Sequence, residues 1–358
     1  MMLAIIVVTL SLMTDVGHDV GAAFQASPTG HEIAAERAQA ALQARRFAEA
    51  ESTLEQALSA AGGEAEDRAR LRLLLGQVYS ATRRFDLALA QFEQVIRAYP
   101  ELAHAHYQAG IAYTLSDRKA EGLKSLEKAA ALAPDNAGFA FYLGLAYLEM
   151  RQDANAAAAL GRAVSLSPND VEGRVNLGWA LINAGKPAEA ADALQGAVAR
   201  QPTHAVAWFL LGETERRRGE NDRAIAAYER AVSLDGTLLD ALFSLATLFY
   251  QQHDLAKASD WLGRLLTVDA AHVGAHYTLG KIAFQQRRID DAIDHLERCV
   301  QADPRNKGAL YQLARAYREK GNLARADAAL TAFRALGSEG FEDSAPAERI
   351  DRISRPPR

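Results

Sequence analysis

The sequence predicts an all-α protein, a solenoid of stacked helix-turn-helix repeats, and three regularities support this prediction. A small residue recurs every 34 residues, at Gly76, Gly110, Gly144, Gly178, Gly212, Ala246, Gly280 and Ala314. An apolar residue, almost always leucine, directly precedes each of them, and a further alanine usually follows twelve residues later. A period of this length is typical of many copies of one small unit rather than of a single globular core.

We number each repeat from seven residues before the recurring glycine, which makes that glycine position 8. Positions 4, 7, 8 and 11 are mainly apolar, and their spacing of three or four residues predicts one face of a first helix. Positions 20, 24 and 27 predict a second helix in the same way. Small residues at positions 8 and 20 let the two helices approach. Proline at position 32 follows the second helix, where its missing N–H costs least.

The repeats cover most of the chain. Eight repeats run in phase from Ala69 to Gly340, and a weaker one fits His31–Glu64, with four extra residues, Ala65–Arg68, before the next. The predicted solenoid therefore spans residues 31–340 in nine repeats, which start at residues 31, 69, 103, 137, 171, 205, 239, 273 and 307. One helix pair cannot bury its own apolar face, so the stacking of neighbours supplies the core.

Repeat 6 shows the signature residues best, with Trp208, Leu211, Gly212, Ala224 and Tyr228 at positions 4, 7, 8, 20 and 24. This arrangement closely resembles the tetratricopeptide repeat, whose pattern is W-x2-L-G-x2-Y, followed by A-x3-F and P. The resemblance implies a right-handed superhelical solenoid and a concave wall lined by the first helices. It also implies that positions 2, 5, 9 and 12 point inward.

The inner wall carries the candidate site. Position 5 is aromatic in six of the eight full repeats, and basic inner positions near the C-terminal end favour a partner with an acidic or carboxylate-bearing end. The candidate partner-binding groove consists of Tyr107, Phe141, Trp179, Phe209, Phe243, Tyr250, Tyr277, Phe284, Tyr311, Arg216, Lys281, Arg315 and Arg318. Two interpretations stay open at this point: the rings line an exposed apolar groove, or they only pack between repeats.

Two specialised inner walls of the family can be set aside. The clamp for chaperone tails uses lysine or arginine together with asparagine, and only Asn176 matches it. The asparagine ladder of O-GlcNAc transferase arrays needs asparagine at position 6 in repeat after repeat, whereas here only repeat 5 has one.

Composition and motifs argue against other functions. The net charge is −5 and the pI is about 6.0, whereas nucleic-acid binding needs a basic stripe. We find no phosphate-binding loop, nucleophile elbow or HExxH motif, so the sequence predicts no catalysis and no cofactor. The single cysteine, Cys299, excludes an internal disulfide, and its position 27 predicts a small buried hydrophobe.

One histidine pair has the spacing of metal ligands. His272 and His276 are four residues apart and could share a helical face. His276 however stands at position 4, where other repeats carry Trp208 or Leu242. The sequence therefore predicts that His276 packs, and a metal-dependent activity through this pair is an alternative.

The two ends differ from the repeats. The apolar run Leu3–Met13 is too short to span a bilayer, but with the small residues Gly21, Ala22 and Ala23 it predicts a signal peptide over residues 1–26. Residues 27–30 are then a linker, and the mature chain is exported to the periplasm or outside the cell, without a transmembrane segment. The absence of Lys and Arg before Arg37 favours the alternative, a cytoplasmic protein. Residues 341–358 are predicted to be a polar tail or a capping helix.

These observations predict a non-catalytic scaffold that binds a protein or a peptide segment in its concave groove. The alternative is a regulatory or assembly subunit of an enzyme complex of the cell envelope.

Overall fold

The computed structural model describes residues 29–60 and 63–337, and this part of the chain forms eighteen α-helices and no strand. Eighteen is the number of helices that the nine predicted repeats require. The predicted signal peptide and the C-terminal tail lie outside the described residues, so both stay predictions. The chain divides after Ala184 into two compact units, which we describe separately.

The N-terminal unit holds repeats 1 to 4 and the first helix of repeat 5. Its helices are α1 (Gly30–Gln43), α2 (Phe47–Ser59), α3 (Ala65–Ala81), α4 (Phe85–Ala98), α5 (Ala103–Leu115), α6 (Lys119–Leu132), α7 (Ala137–Glu149), α8 (Asp153–Leu166) and α9 (Val171–Asn183). Each helix packs against the next one along the chain. The four extra residues before repeat 2 are helical, and they make α3 seventeen residues long, whereas the other first helices of repeats 3 to 5 have thirteen.

The C-terminal unit holds the second helix of repeat 5 and repeats 6 to 9. Its helices are α10 (Pro187–Arg200), α11 (Ala205–Arg217), α12 (Asn221–Leu234), α13 (Leu239–Gln251), α14 (Leu255–Val268), α15 (Val273–Gln285), α16 (Ile289–Ala302), α17 (Lys307–Glu319) and α18 (Leu323–Ala335). Consecutive helices again pack against each other, so the core of each unit is a series of small interfaces, as in other repeat proteins.

The glycine at position 8 makes room for the side chain at position 24 of the same repeat. A Cβ atom on Gly76 would lie 2.3 Å from the Phe92 ring, and one on Gly212 would lie 2.5 Å from the Tyr228 ring. The closest neighbour is therefore a large side chain. The backbone of the second helix is also near, as predicted, because the Gly122 carbonyl would lie 3.2 Å from a Cβ on Gly110. The regular 16-residue spacing of these two positions sets how closely the helices of a pair approach.

The first helix of every repeat ends in the left-handed backbone conformation at position 15. Glycine occupies this position in three repeats, including Gly219, whereas six other repeats carry a non-glycine residue there, such as Arg83 with φ 61°. In repeat 2 the N–H of Arg83 donates to the Ser80 carbonyl (3.0 Å), and the N–H of Arg84 donates to the Tyr79 carbonyl (2.7 Å). These two bonds form a Schellman motif, which satisfies the last carbonyls of the helix.

We expect Arg83→Gly to raise the free energy of unfolding by about 0.5–1 kcal/mol. The left-handed conformation is unfavourable for residues with a Cβ, and glycine adopts it freely. Urea unfolding followed by circular dichroism measures the effect. Gly219→Ala is the matched control at the same position, where no neighbour crowds the added Cβ, and it should lower stability by a similar amount. A loss of stability in Arg83→Gly would contradict the motif.

Position 4 ties each of four repeats to the preceding one through a polar contact. The indole Nε1 of Trp208 donates to the Pro202 carbonyl at 3.0 Å, and the ring nitrogen Nε2 of His276 lies 3.0 Å from the Ala270 carbonyl. His106 and Arg174 make the same contact with the carbonyls of Pro100 and Pro168. Position 4 therefore does more than supply apolar surface, because a side-chain N–H there satisfies the carbonyl at position 32.

Tyrosine at position 11 forms a second contact between repeats. The hydroxyl of Tyr113 donates to Glu93 at 2.9 Å, and that of Tyr147 donates to Glu127 at 2.8 Å. Tyr79 and Tyr317 make the same bond with Glu55 and Glu297. In every case the glutamate is at position 25 of the preceding repeat. Each tyrosine at position 11 thus has a glutamate partner in the preceding repeat, and the bond ties four pairs of adjacent repeats together.

Candidate functional site

Four of the predicted groove rings are buried. Phe141, Trp179, Phe209 and Tyr277 expose 9%, 5%, 2% and 2% of their surface. The reason is visible at Tyr277, whose hydroxyl would lie 2.7 Å from a Cβ on Gly308. The ring thus covers position 2 of the next repeat. Rings buried in this way have almost no area to offer a partner. For these four rings, packing is therefore the better of the two interpretations.

Tyr107 is half-buried and sits in an aromatic cluster of the N-terminal unit. Its ring centroid lies 4.9 Å from that of Phe139 and 5.4 Å from that of Tyr142. His104 packs beside it at 5.8 Å, and burial lowers the pKa of His104 to about 4. Burial also raises the pKa of Tyr142 to about 12. The cluster is therefore uncharged near neutral pH, and two of its rings, Phe139 and Tyr142, are buried.

The C-terminal unit places two cations against aromatic rings on adjacent first helices. Nζ of Lys281 on α15 lies 5.5 Å from the ring centroid of Tyr277 and 5.8 Å from that of Tyr250 on α13. The guanidinium carbon of Arg315 on α17 lies 4.9 Å from the Phe284 ring on α15 and 5.9 Å from the Tyr311 ring. Each cation thus contacts one ring of its own repeat and one of the preceding repeat.

We call Tyr250, Lys281, Phe284 and Arg315 the cation–aromatic row. Tyr250, Lys281 and Phe284 are half-buried and Arg315 is exposed, so these side chains, unlike the four buried rings, keep area for contact. Cation–ring contacts of this kind are attractive by about 0.5–1 kcal/mol at exposed sites. They hold the long cationic side chains in place, and the charges stay accessible.

The cations of this surface lack carboxylate partners among the described residues. Lys281, Arg315 and the exposed Arg318 form no ion pair there, whereas five other cations of repeats 8 and 9 do. Arg287 pairs with Glu319 at 2.6 Å, Arg288 with Asp291 at 2.6 Å, Arg298 with Asp294 at 3.1 Å, Arg325 with Glu297 at 3.4 Å, and Lys320 with Asp290. The inner cations are therefore available to an external anion.

Arg216 differs from the other predicted groove cations, because it forms an ion pair with a buried acid. Glu213 is fully buried, and its Oε2 accepts a hydrogen bond from Nη2 of Arg216 at 3.0 Å. The other carboxylate oxygen, Oε1, accepts from the hydroxyls of Tyr228 and Ser244. Arg216 thus neutralises a buried carboxylate. The sequence contains a signal for this cluster, because repeat 6 has tyrosine instead of leucine at position 24 and an acid at position 9. The sequence analysis did not use this signal.

Models of the tetratricopeptide repeat match residues 31–101, 111–171, 175–238 and 283–335, which together make up more than half of the chain. The chain belongs to the tetratricopeptide repeat family. A model of subunit 3 of the anaphase-promoting complex, or cyclosome, also matches residues 217–299. Tetratricopeptide repeats generally act as non-catalytic modules that bind proteins, so this chain is a protein-interaction scaffold.

Several solved structures are similar to about half of this tetratricopeptide repeat chain. YrrB, described as a TPR protein with an unusual peptide-binding site, is 25% identical with a TM-score of 0.49, over 53% of this chain and 96% of that chain. One structure of MamA is 24% identical with a TM-score of 0.44, over 45% of this chain and 94% of that chain. Another, MamA MSR-1, is 26% identical with a TM-score of 0.43, over 47% and 97%. No curated protein matches the chain.

The two histidines with metal-ligand spacing have separate structural tasks in their tetratricopeptide repeat. His272 caps α15, because its Nδ1 accepts the N–H of Ala275 at 3.1 Å. His276 exposes only 3% of its surface, and its Nδ1 lies 3.1 Å from Nδ1 of His295. His276 therefore packs, as predicted, and His295 is half-buried against it. In residues 29–60 and 63–337, no group of three or more His, Cys, Asp or Glu could hold a metal ion.

Two further observations concern the single cysteine and the apolar character of the helices. Cys299 is fully buried, and burial raises the pKa of its thiol to about 12, so it packs as the predicted small hydrophobe. In the part of the chain that the structure describes, no helix has both the length and the apolar character needed to cross a membrane.

Proposed function

We propose that this scaffold binds a segment of a partner protein on the inner face of the C-terminal unit, along the cation–aromatic row. The observation that supports the proposal is the combination found there: half-buried rings with accessible area, next to cations that no described carboxylate neutralises. Position 9 supplies the cation and position 12 of the preceding repeat supplies the ring. The same arrangement therefore occurs twice in succession, on α13, α15 and α17.

The physical reasons are general to binding surfaces. Repeat solenoids use the faces of their stacked helices as extended binding surfaces, and binding energy concentrates in a few aromatic and arginine side chains. Contact with the rings restricts Lys281 and Arg315 before a partner arrives, which reduces the entropy lost on binding. The buried ring of Tyr277 lies beside this surface, with its centroid 5.5 Å from Nζ of Lys281.

Removal of a row ring tests the proposal. We expect Phe284→Ala to weaken partner binding by about 1–3 kcal/mol, because the ring is a contact residue and also holds Arg315. The measurement is recovery of endogenous partners on the immobilised full chain from the native host, followed by titration of the recovered partner against each variant.

The matched control is Trp261→Ala. Trp261 on α14 is also half-buried and also carries an arginine, with the Arg264 guanidinium carbon 4.2 Å from the ring centroid, but it lies on a second helix. We expect it to keep full affinity. Equal losses in both variants, or a partner that binds Phe284→Ala as tightly as the original chain, would refute the row as the binding surface. A stable enzyme as the recovered partner would favour the alternative of a regulatory subunit.

A further inference from the structure

Charge is segregated between the first helices of repeats 8 and 9, α15 and α17, and the second helix of repeat 8, α16. The first helix α15 contains no acidic residue, and α17 contains one, Glu319, which is paired with Arg287 on the turn after α15. The second helix α16 instead carries four acids, Asp290, Asp291, Asp294 and Glu297, and each of them is paired with a cation. The accessible charge that remains on the first helices is positive.

This positive surface has the sign opposite to that of the chain, whose net charge is −5. Its three cations are Lys281 and Arg315 in the cation–aromatic row and Arg318 one turn further along α17. One inner-face acid of this unit, Asp240, is exposed. It is at position 2 of repeat 7, in the first turn of α13, whereas the three cations are at positions 9 and 12.

We propose that the segment bound on the cation–aromatic row is acidic, and that its side-chain carboxylates contact Lys281, Arg315 and Arg318 while its apolar side chains lie on Tyr250 and Phe284. This inference rests on the proposed function, and it names the chemistry of the partner. Carboxylates complement guanidinium groups in both charge and geometry. Arg315 uses Nη1 for the Gln312 side chain at 3.1 Å, and a guanidinium has further N–H donors for a ligand.

An acidic protein segment fits this surface better than a polynucleotide does. Binding to nucleic acid depends on many phosphate contacts along a basic stripe, whereas here the cations are few and the neighbouring helix α16 is acidic. The rings between the cations also favour a ligand that alternates charged and apolar side chains.

Selection from a library of random peptides displayed on phage tests the inference, with the full chain as bait. We expect the selected peptides to be enriched in Asp and Glu. On the triple variant Lys281→Gln/Arg315→Gln/Arg318→Gln, the enrichment should disappear, and a selected acidic peptide should bind at least about tenfold more weakly. The control is Arg223→Gln/Arg230→Gln/Arg264→Gln, which removes the same charge from exposed positions of the second helices α12 and α14 and should keep the enrichment.

The outcomes separate this inference from the proposed function. If the original chain selected neutral or basic peptides, the inference that the segment is acidic would be wrong, whereas the proposal that the row binds a segment would stand. Acidic enrichment that persists on the first triple variant would overturn the assigned cations. If no peptide were selected on the original chain, the proposed function itself would fail, and this inference would fail with it.

Discussion

Gly212→Leu is expected to lower the free energy of unfolding by about 3 kcal/mol or more. A Cβ at this position would already lie 2.5 Å from the Tyr228 ring, so either α11 and α12 move apart or the ring moves. Overpacking of a core position costs about 1–3 kcal/mol. Displacement of Tyr228 would in addition break its hydrogen bond with the buried Glu213, which adds the cost of an unsatisfied buried group. Thermal and urea unfolding measure the effect.

The matched control is Gly263→Leu on α14. Nothing lies within 4 Å of a Cβ at Gly263, which is exposed in mid-helix. Leucine has a higher helix propensity than glycine, so this variant should gain about 0.5–1 kcal/mol. Opposite signs for the same substitution would support the assignment of position 8 to the helix interface. If Gly212→Leu unfolded at the urea concentration of the original chain, the assigned register would be wrong.

Arg216→Met is expected to destabilise the C-terminal unit by about 3 kcal/mol. It leaves the Glu213 carboxylate fully buried without its cation, and breaking a buried ion pair from one side costs about 3–5 kcal/mol. The side chain of Arg216 is 25% exposed, so water can reach the gap and the lower end of that range applies. Urea unfolding of the full chain measures the loss.

Two comparisons identify the cause. The double variant Glu213→Gln/Arg216→Met removes the uncompensated charge and should recover part of the lost stability. Arg298→Met removes a cation from an exposed pair with Asp294, and it should change stability by less than about 1 kcal/mol. A double variant no more stable than Arg216→Met would mean that lost packing of the arginine side chain, and not buried charge, explains the effect.

Whether a predicted binding residue is free to contact a partner depends on its neighbours in the folded chain. Position 5 reads as aromatic at both Tyr277 and Tyr311, yet Tyr277 is buried and Tyr311 is half-buried. The difference lies outside the repeat itself, because Tyr277 packs on Gly308 of the following repeat. Arg216 and Arg315 also look like equivalent inner cations in the sequence, but Arg216 pairs with a buried carboxylate, that of Glu213, three residues earlier on its own helix.

The helix pairs, their register and the glycine at position 8 follow from the sequence by itself, because each depends on residues spaced within a single repeat of 34. The same local periodicity predicts that His276 and Cys299 pack. Exposure of a ring and the surroundings of a charged group depend in addition on contacts between repeats, such as Tyr250 with Lys281 or Ser244 with Glu213. Only the tertiary structure decides them, since their free energies come from burial and from distances between residues about one repeat apart in the chain.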